Sequence, residues 1–174
     1  MSEFRKTELI LDKKFDPIRK RHYLNNELVV LHCHHYSTLY TQLAIDAGET
    51  DLLHEVAENS FYKLLVDYFE ENNIDSLEEK IDLACQYYSA VGLGKMQVTY
   101  MGDHSGEVEL AHSHVDKGWI TKWGNYDKPV NYISGGFISA MFSAISGNPK
   151  GTFKTMEVKS IVKGDETSVF KIFI

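Results

Sequence analysis

Cysteine is scarce. Cys33 and Cys85 are the two thiols in 174 residues, and no C-x-x-C spacing joins them. Two thiols exclude a disulfide framework and a four-thiolate zinc centre. They suit a reducing, cytoplasmic setting in which both act as small apolar side chains. Proline occurs three times, so no Pro-rich linker divides the chain. Positive charge is in the minority: 18 Lys and Arg against 25 Asp and Glu leave a formal charge of −7. That balance argues against a broad nucleic-acid surface, and the short run Arg19-Lys20-Arg21 reads as a solvated edge. No apolar run approaches the roughly 20 residues of a bilayer span, and no basic stretch followed by an apolar one opens the chain. Neither a membrane span nor a secretory leader is expected. G-x-G-x-x-G after a strand, G-x-x-x-x-G-K-[ST], G-x-S-x-G and H-E-x-x-H are all missing, so nucleotide binding and the common hydrolase machinery have no support.

What is present is an ordinary globular composition, 43% hydrophobic and 25% charged. A chain of this length buries roughly 70% of its unfolded surface and needs no covalent staple. The pattern predicts one domain over 1–174, with a mainly helical part over 1–94 and an α+β part over 95–174. The first 25 or so residues read as an irregular arm or short strand. A helix is expected from about Glu27 to Ala47, ended by Gly48, with Leu28, Leu31, Leu39 and Leu43 at helical spacing. Thr50 can cap a second helix with a stripe of Leu53, Val56, Ala57, Phe61, Leu64, Leu65 and Tyr68. Ser76 with Glu79 forms a capping-box pattern for a third, whose stripe is Leu77, Ile81, Cys85, Tyr88 and Val91.

After Gly94 the period becomes two. Lys95–Met101 and Gly106–His114 alternate around the turn residues Gly102-Asp103-His104-Ser105-Gly106, a hairpin. A small-residue-rich helix is expected from about Val130 to Ser146, then strands over 152–162 and 167–173 joined at Lys163-Gly164-Asp165-Glu166. Helices, hairpin, helix, hairpin: that order predicts an α+β fold, an antiparallel sheet of two hairpins separated by a helix, with the helices packed on one face.

Alternation puts His112 and His114 on the face of Val108 and Leu110, pointing toward the core, where an imidazole needs a hydrogen bond, a metal or a ligand. In His32-Cys33-His34-His35, His32 and His35 share a helix face. Together His32, His35, His112 and His114 are a candidate metal or haem site, with polar packing between helices as the alternative. His54 and Glu58, spaced i and i+4, read as a solvated helix face. Tyr36, Tyr40, Tyr87 and Tyr88 read as packing and rim residues. Trp119 and Trp123, with Tyr132 and Phe137, could wall an apolar pocket or simply fill a core.

The last third resembles the 4-vinyl reductase domain family. The residues that carry the resemblance are Asp127-Lys128-Pro129-Val130-Asn131-Tyr132, Gly136-Phe137, Ser139, Ser143-Ala144, Gly147, Phe153-Lys154, Glu157 and Gly164-Asp165; the N-terminal 95 residues carry no matching motif. The resemblance implies an α+β fold that commonly dimerises and binds small hydrophobic molecules, in relatives that include aromatic sensors, proteins linked to tetrapyrrole synthesis and vesicle-tethering subunits. In the aromatic sensors three cysteines and a glutamate hold a structural zinc; the matching positions here are Asn131, Glu157, Ser160 and Ser168, so that zinc is not expected.

These readings predict a stand-alone homodimeric binding protein for a hydrophobic, aromatic or tetrapyrrole-type molecule, sensory or carrier in role. Ligand contacts are expected at His112, His114, Trp119, Trp123, Tyr132 and Phe137, and no catalytic residue is assigned. The alternatives are a metal- or haem-dependent enzyme built on the histidine clusters, and a ligand-free interaction module.

Overall fold

A computed structural model describes residues 7–30 and 33–174. The N-terminal segment is a three-stranded antiparallel meander, β1 (Lys13–Asp16), β2 (Arg21–Leu24) and β3 (Glu27–Val29). The helix expected from Glu27 therefore starts later, as α1 (His34–Ala47). The reason is local. Asn25 and Asn26 both take positive φ, 47° and 65°, which turns β2 back onto β3 in a two-residue hairpin. Asn25 also accepts from Asp12 N at 2.8 Å through its side chain, tying the turn to the strand before it. Leu28 thus lies in β3, and Leu31 falls outside the described residues.

Two long helices follow, α2 (Thr50–Glu71) and α3 (Leu77–Ala90). Gly48 ends α1 at φ 72°, as expected, whereas α2 is capped at Glu49 rather than Thr50. The stripe on α3 is rotated from the expected one: Leu83, Ala84, Tyr87 and Tyr88 are buried, while Leu77 is half exposed. No capping box forms at Ser76, because the Glu79 carboxylate accepts from Thr7 Oγ1 instead.

The hairpin β4 (Gly94–Met101) and β5 (Ser105–Ser113) leads into α4 (His114–Trp123), which the pattern reading missed. Its signal was present: Ser113 accepts from Asp116 N at 3.1 Å, an N-cap three residues ahead of an acid. Then come α5 (Tyr132–Ile145), β6 (Lys154–Lys159), a 3-10 turn (Ile161–Lys163) and β7 (Ser168–Phe173). The second sheet has the order β4-β5-β7-β6, all antiparallel, so the two hairpins join through β5 and β7. This is the expected α+β arrangement. Val108, Leu110, Phe170 and Ile172 face the helices, and Glu107 and Lys171 pair on the opposite face.

One core cluster joins both parts of the chain: Leu65, Phe69, Leu83 and Tyr88 meet Phe137, Met141, Phe142, Phe153 and the inward strand residues. Phe137 stands edge-on to Phe61 (4.9 Å) and Tyr88 (5.1 Å). The closest approach is between α2 and α5. A Cβ at Gly136 would lie 2.3 Å from His54 O and 2.8 Å from Ala57 Cβ, so only glycine permits this crossing. Gly136→Ala is expected to cost about 1–3 kcal/mol through overpacking, lowering Tm by about 2–4 °C per kcal/mol in a domain of this size. A thermal melt with unchanged Tm would contradict the crossing.

Candidate functional site

The crossing of α2 and α5 does not continue to the sheet. Where the two helices part from β6 they leave a cleft of about 740 Å³, lined by Asp51, His54, Glu55, Glu58 and Asn59 of α2, by Pro129, Asn131, Tyr132 and Gly135, and by Lys150, Gly151, Lys154, Thr155, Met156, Glu157 and Phe170. Each wall follows from local structure. Thr155 and Glu157 are alternate residues of β6 and share the face turned toward the cleft. His54 and Glu58 are one turn apart on α2. Gly135 has no side chain to fill the floor; a Cβ there would sit 3.1 Å from the His54 ring and 3.2 Å from Thr155 Oγ1.

His54 Nε2 lies 3.0 Å from Thr155 Oγ1 and 3.4 Å from Ser139 Oγ. The Thr155 hydroxyl also reaches Gly135 O at 3.3 Å; with its proton on that carbonyl its oxygen accepts from Nε2–H, and with its proton on Nε2 the ring proton is on Nδ1. Burial lowers the His54 pKa, with the nearby Glu58 charge opposing it, so the ring is a neutral donor–acceptor at pH 7. The Glu58 carboxylate accepts from Gly151 N at 2.7 Å and holds the loop before β6 against α2. The expected solvated face is therefore a buried junction: Glu58 is 7% exposed.

At the other end of the cleft Glu157 belongs to a buried polar network. Asn131 Nδ2 donates to Glu157 Oε1 (2.9 Å) and Asp116 Oδ2 (2.8 Å), and Asn131 N approaches Glu157 Oε2 (3.3 Å). Ser168 Oγ donates to Asp116 Oδ2 at 2.9 Å and accepts from Ile161 N at 3.0 Å. Ser113 Oγ donates to Asn131 Oδ1 at 2.6 Å. Two carboxyls thus share one amide with no cation beside them. Burial, with Asp116 adding repulsion, pushes Glu157 up to about 7; burial also raises Asp116. Asn131, Glu157, Ser160 and Ser168 do converge, but as one carboxyl, two hydroxyls and an amide whose nitrogen faces the carboxyls. That donor set does not fit zinc. It forms a hydrogen-bond network that leaves Ser160 Oγ and Asp116 Oδ1 buried without a partner among the described residues.

Of the six residues expected to contact ligand, Tyr132 lines this cleft. Phe137 is fully buried in the core. Trp119 is 2% exposed in a second cluster with Val115, Val130 and Val162, packed on Trp123 (4.7 Å) and Tyr126 (5.0 Å). Its Nε1 is buried with no hydrogen-bond partner. His112 points to solvent rather than to the core, and His114 is the first residue of α4. The cause is a β-bulge: Lys95 pairs with His112 and Met96 with Leu110, so Ala111 is an extra residue that reverses the alternation and turns Ser113 inward. A second bulge at Thr99 turns Tyr100 outward in the same way.

His32 lies outside the described residues, and His35 is exposed near the start of α1. Helix α1 does pack on α4, the helix that His114 begins. Among the described residues no three His, Cys, Asp or Glu side chains are grouped to hold a metal ion.

No family model and no curated protein matches the chain. Solved structures do. The phenol-responsive sensory domain of the transcription activator PoxR, bound to phenol, superposes with a TM-score of 0.77 at 12% identity, covering 92% of this chain and 84% of that one. A vinyl-4-reductase family protein from Methanocaldococcus jannaschii has a TM-score of 0.54 at 14% identity, over 83% and 82% of the two chains. Trafficking protein particle complex subunit 3 from Naegleria fowleri, covalently bound to palmitic acid, has a TM-score of 0.52 at 14% identity, over 79% and 89%. The resemblance seen in the last third thus extends to the fold of nearly the whole chain.

The raised Glu157 pKa has a defined consequence for stability. Its folded value lies above its ordinary 4.5, so the stabilising proton is fully held below pH 4.5 and is lost as pH rises through about 7. Wild-type stability should fall by on the order of 3 kcal/mol across that window relative to Glu157→Gln. Urea melts at several pH values read this directly, and parallel curves for the two proteins would contradict it.

Proposed function

We propose that this chain is a small-molecule-binding domain, sensory or carrier in role, whose ligand occupies the cleft between α2, α5 and β6. The observation that carries the reading is the convergence, on one cleft, of an apolar floor (Phe170, Tyr132) and neutral hydrogen-bonding groups (His54 and Thr155). Binding sites of this kind pair apolar walls with a few oriented polar groups. The ligand class that fits is a small aromatic or hydrophobic molecule carrying one hydroxyl or carbonyl. The charged rim of Asp51, Glu55, Lys150 and Lys154 lies outside that floor and is solvated. The fold it shares with a phenol-bound sensor and a palmitate-bound subunit supports the same reading.

A second location has one observation in its favour. The orphaned Trp119 Nε1, among Trp123, Tyr126 and Val162, is a buried donor for which a ligand oxygen would be a natural acceptor.

Two further properties belong to the proposal. The shared core argues that the helices and the second sheet unfold as one domain, and the two free thiols suit a cytoplasmic, reducing setting; no helix among the described residues is long and apolar enough to cross a membrane. The chain is also a homodimer through α1 and α2. Helix α1 buries Thr38 and Thr41 and turns Tyr36, Leu39, Tyr40 and Leu43 outward, beside Leu52 and Val56 of α2, all between 37% and 55% exposed. That is an apolar stripe with helical spacing on the wrong side for a monomer.

Native mass spectrometry of the untagged protein, then titration with phenol and palmitate as first probes, tests the site. His54→Ala and Tyr132→Ala should each weaken binding about five- to tenfold, the cost of one lost polar or packing contact, while His112→Ala should have no effect. If Trp119→Phe abolishes binding and His54→Ala does not, the ligand sits in the second cluster. The same spectra test the assembly: Leu39→Glu with Leu43→Glu should convert a dimer to a monomer, and a monomeric wild type would remove the dimer.

A further inference from the structure

The N-terminal meander has a feature that neither the cleft nor the dimer stripe uses. Its first hairpin carries Ile18 at the tip, 90% exposed, and Phe15 beside it, 50% exposed and stacked on His22 at 4.8 Å. The tip is built rather than loose. Asp16 Oδ1 accepts from Ile18 N (2.8 Å) and Arg19 N (3.0 Å), and Lys20 closes the turn at φ 57°. An aliphatic side chain is thus held out into solvent by a turn that had no need of one there.

The charges around it are mostly positive. Lys13, Lys14, Arg19, Lys20 and Arg21 crowd the hairpin in a chain whose formal charge is −7. Asp12 pairs with Lys14 at 2.5 Å, and Asp16 is engaged by the turn amides and by Arg19 at 3.7 Å. Asp16 also faces Arg21 across the strand pair and so offsets one charge of Arg19 and Arg21; the excess positive charge rests on Lys13, Lys20 and the remaining arginine charge, all exposed.

We propose that this hairpin is a docking surface for an anionic phospholipid bilayer, with Ile18 entering the boundary between headgroups and acyl chains while Lys13, Lys20 and Arg21 lie against lipid phosphates. The combination selects the partner. A nucleic-acid backbone rewards the cations and gives nothing for an exposed aliphatic tip. An anionic membrane surface rewards both, by burying the apolar residue and by attracting each cation near it. Three cations and one aliphatic tip make a weak, reversible contact that salt weakens further.

The test is co-sedimentation of the full chain with vesicles of equimolar phosphatidylcholine and phosphatidylserine, against vesicles of phosphatidylcholine alone. Binding to the mixed vesicles only is expected, falling as sodium chloride is added. Ile18→Ser should weaken it roughly tenfold, the effect of losing one buried aliphatic side chain. Lys20→Asn with Arg21→Gln should weaken it about 25-fold, at about fivefold per cation; asparagine suits the left-handed backbone at position 20, so the turn is kept. Any of these results overturns the proposal: equal binding to neutral vesicles, no binding to either, Ile18→Ser binding like wild type, or tighter binding to duplex DNA or RNA than to the mixed vesicles. Size-exclusion of Ile18→Ser serves as the last arm. A change from dimer to monomer would assign the tip to self-association and overturn the lipid reading, and an unchanged elution supports it.

Discussion

The structure depends on the close crossing of α2 over α5. Because Gly136 brings the α5 backbone to within contact of His54 O and Ala57, the N-terminal helices are pressed onto the C-terminal sheet layer as a single packed unit. Two consequences follow from the same contact. The helices are held so near each other at Gly135 and Gly136 that His54 has nowhere to go but toward Thr155 and Ser139. The sheet edge at β6 cannot follow them, and the gap that remains is the cleft. Packing and site are therefore one fact seen from two sides.

A second constraint operates at the far end of that cleft. Asn131 sits between Asp116, Glu157, Ser113 and Ser168, drawn from α4, β6, the end of β5 and β7. A buried network of this kind specifies geometry through the bonds its members make, and here burial raises both carboxyls while Asp116 Oδ1 and Ser160 Oγ lack a hydrogen-bond partner among the described residues. The arrangement joins four elements without thiolate ligands. It also places a carboxyl of near-neutral pKa at the cleft wall, where a ligand's polar group or a change of pH would be felt by the elements it ties together.

Much of the architecture could be read from pattern. The α2 and α3 segments, both hairpins of the main sheet, the small-residue helix and the Gly-Asp turn all rest on periodicity and turn chemistry, which are local. The site was legible only in fragments. Tyr132 was found as an aromatic near the two tryptophans, and His54 with Glu58 was noticed through its spacing but assigned to solvent, since nothing local says which element a polar pair will meet. His112 failed for a different reason: one extra residue at Ala111 reverses every side chain beyond it, and a bulge has no reliable signature when the inserted residue is an alanine. The Glu27 boundary failed because Asn25-Asn26 was not weighed as a hairpin turn.

Composition and period sufficed for the α+β class and for most elements after Gly48, α4 excepted, because propensity and alternation are properties of short segments. Which faces meet was decided by tertiary structure. The register of two bulged strands, the depth of the α2–α5 crossing and the burial of His54, Glu58 and Glu157 depend on contacts between residues up to 101 positions apart. Those contacts form only when distant segments compete for the same apolar surface, and no window of sequence contains the outcome of that competition.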